Sequence, residues 1–225
     1  MPSLLLFTCA AMLLFSSQWA KAQEVAFTVT YIEATPSAKA EAAGLLKQYS
    51  DNTSLQAGLM RLDVLQRVDR TNHFAIVAVW KDGKAAETHA SESQTKEFRS
   101  KLQPLLIGPY DERPHVGLSV GPATGATTSA SGLYAVTHVD IIPPKKDDGL
   151  AAIKLLSEHS RKEPGTLRYE ALQQNSRPNH VTLVEVWNSE EDLERHETAP
   201  HTREFRELLL PMSGSLYDQR LYRPL

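Results

Sequence analysis

A single cysteine, Cys9, stands in this chain of 225 residues. That excludes a disulfide framework and any Cys-rich zinc or iron–sulfur site. Charge of one sign is also scarce. Lys and Arg number 24 against 27 Asp and Glu, for a formal net charge of −3. Nothing in that balance supplies the positive surface that a nucleic acid requires. Long apolar runs are missing too. The one notable run, Leu4 to Phe15, is shorter than the ~20 residues a membrane span needs. No Gly-rich loop lies between a strand and a helix to cradle phosphate, and no Gly-x-Ser-x-Gly elbow occurs. What remains is 41% apolar and 23% charged. Such a composition supports a packed core and argues against disorder.

The first residues read as a targeting segment. After Leu4–Phe15 come Ser16, Ser17, Gln18 and Trp19, then Ala20-Lys21-Ala22 before Gln23. This is the order of a secretory signal peptide with a small-x-small cleavage site. No Lys or Arg precedes the apolar run, so the N-terminal amine has to supply the positive charge. An uncleaved anchor is the competing reading. Removal of residues 1–22 would also remove Cys9, leaving a thiol-free chain suited to an oxidising compartment. The expectation is an exported protein, periplasmic or secreted, with no membrane span after cleavage.

The most informative feature is an internal repeat. Shifted by 107 residues, the sequence lies on itself without a gap. Gly58 falls on Gly165, Arg61 on Arg168, Leu65-Gln66 on Leu172-Gln173, and Asn72-His73 on Asn179-His180. Trp80 falls on Trp187, His89 on His196, and Glu97-Phe98-Arg99 on Glu204-Phe205-Arg206. In all, 16 of the 42 positions from 58 to 99 are identical, which marks a duplication. The units run over 24–118 and 131–225. Between them, 119–130 has no charge and is rich in Gly, Ala, Ser and Thr, a flexible linker.

Each unit presents the same order of elements. Phe27, Val29 and Tyr31 alternate on one face of a strand over 25–33, and Tyr134, Val136 and His138 repeat them. Pro36 and Pro143 end those strands. Ala42, Leu45, Leu46 and Tyr49 then share one face of a helix. Two strands follow near 59–67 and 73–81, joined by the turn Val68 to Asn72; the second unit turns at Asn175 to Asn179. Ser189, followed by Glu190, Glu191 and Asp192, reads as an N-cap with an acidic first turn. A further helix starts near Thr202, and a last strand runs over 216–222. The order is βαββαβ with the second helix broken in two. It predicts an α+β fold: two ferredoxin-like units, each with an antiparallel sheet and its helices on one face. The bare sheet faces must be buried, and each copy can cover the other to form a barrel.

The second copy carries Pro164-Gly165, Arg168-Tyr169, Arg177-Pro178-Asn179-His180, Glu185-Val186-Trp187, His196 and Pro200-His201 before Phe205. These residues resemble the antibiotic biosynthesis monooxygenase (quinol monooxygenase-like) family. The resemblance covers nearly all of the second copy, and the first is a diverged version. It implies a dimeric α+β barrel, here closed within one chain as an intramolecular pseudo-dimer; whether whole chains pair further is left open. It also implies a cofactor-independent monooxygenase that oxidises a small aromatic or quinol-like molecule with O₂, using no metal or flavin. An electron-rich phenolate or carbanion can pass an electron to O₂ itself. The protein then needs a base, a donor for the anionic oxygen, and a dry aromatic-lined cavity. The alternative is a non-catalytic module of the same fold in the cell envelope that binds a small ligand, or haem, as some relatives do; no axial ligand stands out.

Each candidate has a functional and a bland reading. His196, and its counterpart His89, is either a base or a helix-end histidine that docks its helix. Trp187 and Trp80 are either cavity walls for an aromatic substrate or packing residues. Glu185 orients His196, acts on substrate, or forms an ion pair. Arg168 and Arg61 hold an anionic oxygen, reach solvent, or pair with Asp63 and Glu170. His201 is a further substrate-binding candidate. His73 and His180, beside Asn72 and Asn179, read as turn residues. His196 and His201 are five apart, which is not the i, i+4 pairing of helical zinc ligands. Adding His138 or His180 gives only a loose set, so no metal is expected. Copy one has Ala78 where copy two has Glu185, Gln94 where it has His201, and no Pro in its Asp69–Asn72 turn. Copy two is therefore expected to hold the more complete site, a closed apolar pocket lined by Trp187, His196 and Arg168.

Overall fold

A computed structural model of the chain describes residues 24–121 and 131–225. The expected signal segment 1–22 and residues 122–130 of the linker lie outside the described residues. Copy one comprises β1 (Ala26–Glu33), α1 (Lys39–Thr53), β2 (Leu59–Arg67), β3 (His73–Trp80), α2 (Gly83–Ser91), α3 (Ser93–Leu102) and β4 (Asp111–Ser119). Copy two repeats it as β5 (Leu133–Asp140), α4 (Lys146–Ser160), β6 (Thr166–Gln174), β7 (His180–Trp187), α5 (Glu190–Thr198), α6 (Pro200–Leu209) and β8 (Asp218–Pro224). The βαββαβ order and the broken second helix are as the sequence predicts; α6 starts at Pro200, two residues before the expected Thr202. Among the described residues no helix is long and apolar enough to cross a membrane.

The eight strands close one antiparallel barrel in the order β1-β3-β2-β8-β5-β7-β6-β4. Each copy contributes four neighbouring strands. Two seams join the copies: β2 with β8, as in Gln66 opposite Arg223, and β4 with β6, as in Val116 opposite Gln173. Closure pairs every edge, which removes the exposed strands that would otherwise recruit other chains.

Alternation along the strands sends side chains either into the barrel or out to a helix-covered layer in each copy. Phe27, Val29, Tyr31 and Val77 meet Tyr134, Val136, Val184 and Val186 inside the barrel. The other face of each sheet is covered by its own helices. Leu133, Ala135, Tyr169 and Trp187 pack there against Ile153, Phe205 and Leu209 in copy two. Ile32, Phe74 and Ile76 pack against Leu46, Tyr49 and Phe98 in copy one.

Local signals explain the element ends. The Ser189 hydroxyl accepts the Asp192 N–H, and Asp82 does the same for Ala85. The side-chain amides of Asn72 and Asn179 donate to the carbonyls of Ala34 and Ile141, which ties each turn to the end of the first strand. Gly165 has φ of +86°, and a Cβ there would lie 2.1 Å from the Asp192 carboxyl carbon. Gly165→Ala is therefore expected to cost at least the ~1–3 kcal/mol of a left-handed non-glycine residue, read as a lower midpoint in thermal denaturation. An unchanged midpoint would show that this turn relaxes freely.

Candidate active site

In copy two the layer between sheet and helices gathers a file of titratable groups. Trp187 ends β7, and its indole N–H donates to Glu185 Oε2 at 3.0 Å. Glu185 and Trp187 are two residues apart and so share the helix-facing side. His196, in the last turn of α5, lies over Trp187 with ring centroids 4.8 Å apart. Its Nε2 is 3.7 Å from Glu185 Oε2. Its Nδ1 donates to Glu163 Oε1 at 2.6 Å, and His201 Nε2 donates to the same oxygen at 2.8 Å. Tyr169 of β6 stands edge-on to His196 at 5.8 Å.

The inner members are closed to solvent: Trp187 is 0% exposed, Glu185 1% and His196 3%. The outer members are partly open, with side-chain exposures of 14% for Glu163 and 20% for His201. Burial pushes the Glu185 carboxyl up to about 8, against the opposing effect of the Trp187 hydrogen bond. Burial also holds His196 below the usual imidazole value, and the Glu163 carboxylate partly offsets it. Beyond His201, Leu156, His159 and Phe205 line a cavity of about 20 Å³ between α4 and α6, room for about one water.

The five-residue spacing of His196 and His201 works because the helix is broken. Ala199 is extended, with φ −62° and ψ 147°, and the chain turns there between α5 and α6. The last turn of one helix and the first turn of the next then converge on Glu163. Ligand atoms of Glu163, His196 and His201 lie within 4.8 Å of one another. Neither His138 nor His180 joins them: His138 packs against Tyr31 and His180 pairs with Asp140.

Copy one builds a counterpart in which an amide stands between the ring and a carboxylate: Gln56 Nε2 donates to Glu92 Oε2 at 2.6 Å. His89 stacks on Trp80 at 4.7 Å and its Nε2 meets the Tyr49 hydroxyl at 2.8 Å. Its Nδ1 contacts the Gln56 side-chain oxygen. Gln56 stands where copy two has Glu163, Ala78 where it has Glu185, and Gln94 where it has His201. Burial, with Arg99 adding to it, holds His89 down to about 4. Tyr49, Gln56, Gln94, Thr95 and Phe98 line a cavity of about 120 Å³ between α1 and α3. Of these two cavities the larger belongs to copy one, whereas only copy two sets a carboxylate directly on the histidine ring.

The arginines take a different place from the one expected. Register puts Arg168 opposite Val186 and Tyr169 opposite Glu185. Arg168 therefore points into the barrel, across the sheet from Trp187 and His196, and the three do not line one pocket. Arg168 instead reaches Asp63 Oδ2 at 2.6 Å. Arg61 makes the counterpart contact across the pseudo-two-fold axis, bidentate to Glu170 at 3.0 and 2.6 Å, and also meets Asp63 at 3.1 Å. The pairing with Asp63 and Glu170 is the reading the structure favours. Glu163 is a site neighbour that the motifs do not mark, and Tyr169 and Tyr49, visible as a motif residue and a helix-face residue, turn out to flank the two histidines. The available signal for Glu163 was a position where the repeat exchanges an amide for a carboxylate two residues before a shared glycine.

An eight-stranded α+β barrel made of two fused ferredoxin-like units, with a buried His–Trp pair in each, defines a tandem form of a dimeric-barrel protein. The model of the antibiotic biosynthesis monooxygenase family matches the chain twice, over residues 26–101 and 132–208. The chain belongs to that family, once in each half. Among solved structures, one from Fusobacterium nucleatum, provisionally named a monooxygenase, superposes with a TM-score of 0.77 at 15% identity, covering 91% of this chain and 94% of that one. An anthrone oxidase-like protein superposes with a TM-score of 0.69 at 13% identity, covering 90% and 92%. At such identities the likeness is one of fold. An uncharacterized protein of Synechocystis is 30% identical over 86 residues, which is 38% of this chain and 58% of that protein. The chain thus spans little more than half the length of that curated relative.

Proposed function

We propose that the protein is a cofactor-independent monooxygenase that oxidises a small aromatic or quinol-like molecule with O₂, and that copy two carries the reaction. Family membership supports the reaction class. The observation that carries the reading is the file His201–Glu163–His196–Glu185–Trp187, which runs from a partly exposed ring to a buried indole. His196 Nε2 takes the proton of a phenolic hydroxyl held in the Trp187 layer. Its Nδ1 proton passes to Glu163, whose carboxyl is itself partly open to solvent and releases it there, while His201 holds the carboxylate in place. The phenolate left behind is electron-rich enough to reduce O₂ directly, and the dry layer keeps water from the intermediates. An aromatic ring is too large for the present cavity, so Leu156 and His201 must part to admit it. Catalysis outside the cytoplasm follows from the signal-like Leu4–Ala22 segment. An exported chain beginning at Gln23, weighed by mass spectrometry, checks that step.

O₂ uptake against a panel of quinols and anthrones tests the reaction. Consumption above the spontaneous rate on at least one compound is expected. The second reading is a non-catalytic binding module in the cell envelope, favoured by the 120 Å³ cavity and amide-bound His89 of copy one. Saturable binding of a small aromatic with no O₂ consumed would establish that module and end the oxygenase reading. A Soret band on titration with haem would point to the haem form of the same module.

A further inference from the structure

We propose that Glu163, His196 and His201 form a divalent-cation site in copy two, of the two-histidine, one-carboxylate kind that suits zinc and similar first-row ions. One donor atom from each lies within 4.8 Å of the others. A single oxygen, Glu163 Oε1, already gathers His196 Nδ1 at 2.6 Å and His201 Nε2 at 2.8 Å. Imidazole nitrogen and carboxylate oxygen are the donors that borderline ions prefer. The three come from separate places in the chain: the turn after α4, the end of α5 and the start of α6. Glu163 and His201 are partly open to solvent, and a small cavity lies on the far side of His201, lined also by His159. His159 lies edge-on to His201, with centroids 5.5 Å apart.

The duplication supplies an independent observation. Copy one keeps the histidine, the break between its two helices, the Trp beneath the ring, and the threonine hydroxyl 3.4 Å from Nδ1. Its other positions hold amides: Gln56 for Glu163, Gln94 for His201 and Asn52 for His159. An amide already satisfies the ring nitrogen there, since the Gln56 side-chain oxygen contacts His89 Nδ1. Packing and hydrogen bonding therefore do not demand a carboxylate and an extra imidazole. Copy two has good metal ligands at each place where copy one has poor ones.

The consequence bears on the proposed reaction and rests on that reading. An ion on His196 Nδ1 would occupy the atom whose proton now goes to Glu163. The ring would then keep its proton on Nε2 and could not accept another. Occupancy would thus interrupt the proton file, making the ion a brake on copy two.

Titrating the intact chain, free of any histidine tag, with Zn²⁺ by calorimetry and with Co²⁺ by visible absorption tests the site. One ion per chain is expected. Glu163→Gln and His201→Gln each reinstate the residue of copy one. Each is expected to weaken binding by more than the ~10–100-fold that loss of an outer partner costs, with thermal melts showing that the variants remain folded. No binding by the intact chain, or binding unaltered in both folded variants, overturns the proposal. Neither titration needs turnover. A chain that binds the ion, yet consumes no O₂ on any compound of the panel once a chelator has stripped the ion away, would sink the oxygenase reading and leave the site standing.

Discussion

His196→Ala is expected to lower O₂-dependent turnover by about 10²–10⁴-fold, the usual share of a positioned proton acceptor, whereas His89→Ala leaves turnover within a few-fold. Both rings lie over a tryptophan, at 4.8 and 4.7 Å, and both are buried. Each truncation removes the same packing from the same place in its half, so losses of thermal stability should be alike. The two variants are therefore controls for each other. They differ in what the ring connects. His196 joins Glu163, and through it His201, to Glu185; His89 meets an amide and two hydroxyls, with Glu92 reached only through the amide. A proton accepted by His89 meets an amide, which separates the ring from the Glu92 carboxylate beyond it. The measurement is the single-turnover rate on whichever quinol the panel identifies. Equal loss from both substitutions would mean that the asymmetry of the halves has no part in the chemistry.

Asp63→Ala should produce the largest change in stability. Asp63 is 0% exposed and lies where the halves meet. Its carboxylate accepts from Arg61 at 3.1 Å, Arg168 at 2.6 Å and the Tyr134 hydroxyl at 3.2 Å. Removing it leaves two buried guanidiniums sharing Glu170 alone. An ion pair broken on one side inside a protein typically costs about 3–5 kcal/mol, because the remaining charge stays desolvated. For a chain of this size that is a fall in midpoint of about 6–20 °C. Adding Arg168→Met to Asp63→Ala removes one of the stranded charges as well. The double variant should then lose less than the sum of the two single ones. A midpoint unchanged in Asp63→Ala, or strict additivity, would show that the seam does not depend on this cluster.

Much of the fold was legible before any coordinates. The repeat at 107 residues implied two copies of one unit. Alternation at Phe27, Val29 and Tyr31 marked a strand with one face to bury, and Ser189 with its acidic followers marked a helix start. These are local signals, because strand period and cap chemistry act over a few residues. The candidate site was legible only in part. His196, Trp187, Glu185 and His201 do meet, on one layer of copy two. Arg168 was grouped with them on residue type, yet it sits one residue from Tyr169 on a strand. Neighbours on a strand face opposite ways, so a single position decides between the helix layer and the barrel interior. Glu163 does not stand out in what the copies share, because this position is one where they differ.

The sequence by itself determined the duplication, the βαββαβ order in each half, the need for each sheet to cover the other, and the inequality of the two halves at Ala78 and Glu185. All of these follow from periodicity and residue type along the chain. Only the tertiary structure decided that the arginines belong to the seam, that a broken helix turns His196 and His201 onto one carboxylate oxygen, and that the roomier of the two helix-layer cavities lies in the half whose histidine meets an amide. Such facts depend on which way a side chain leaves its strand and on where distant segments cross. Contacts between residues dozens to more than a hundred positions apart are set by the packing of whole elements, and no local pattern encodes them.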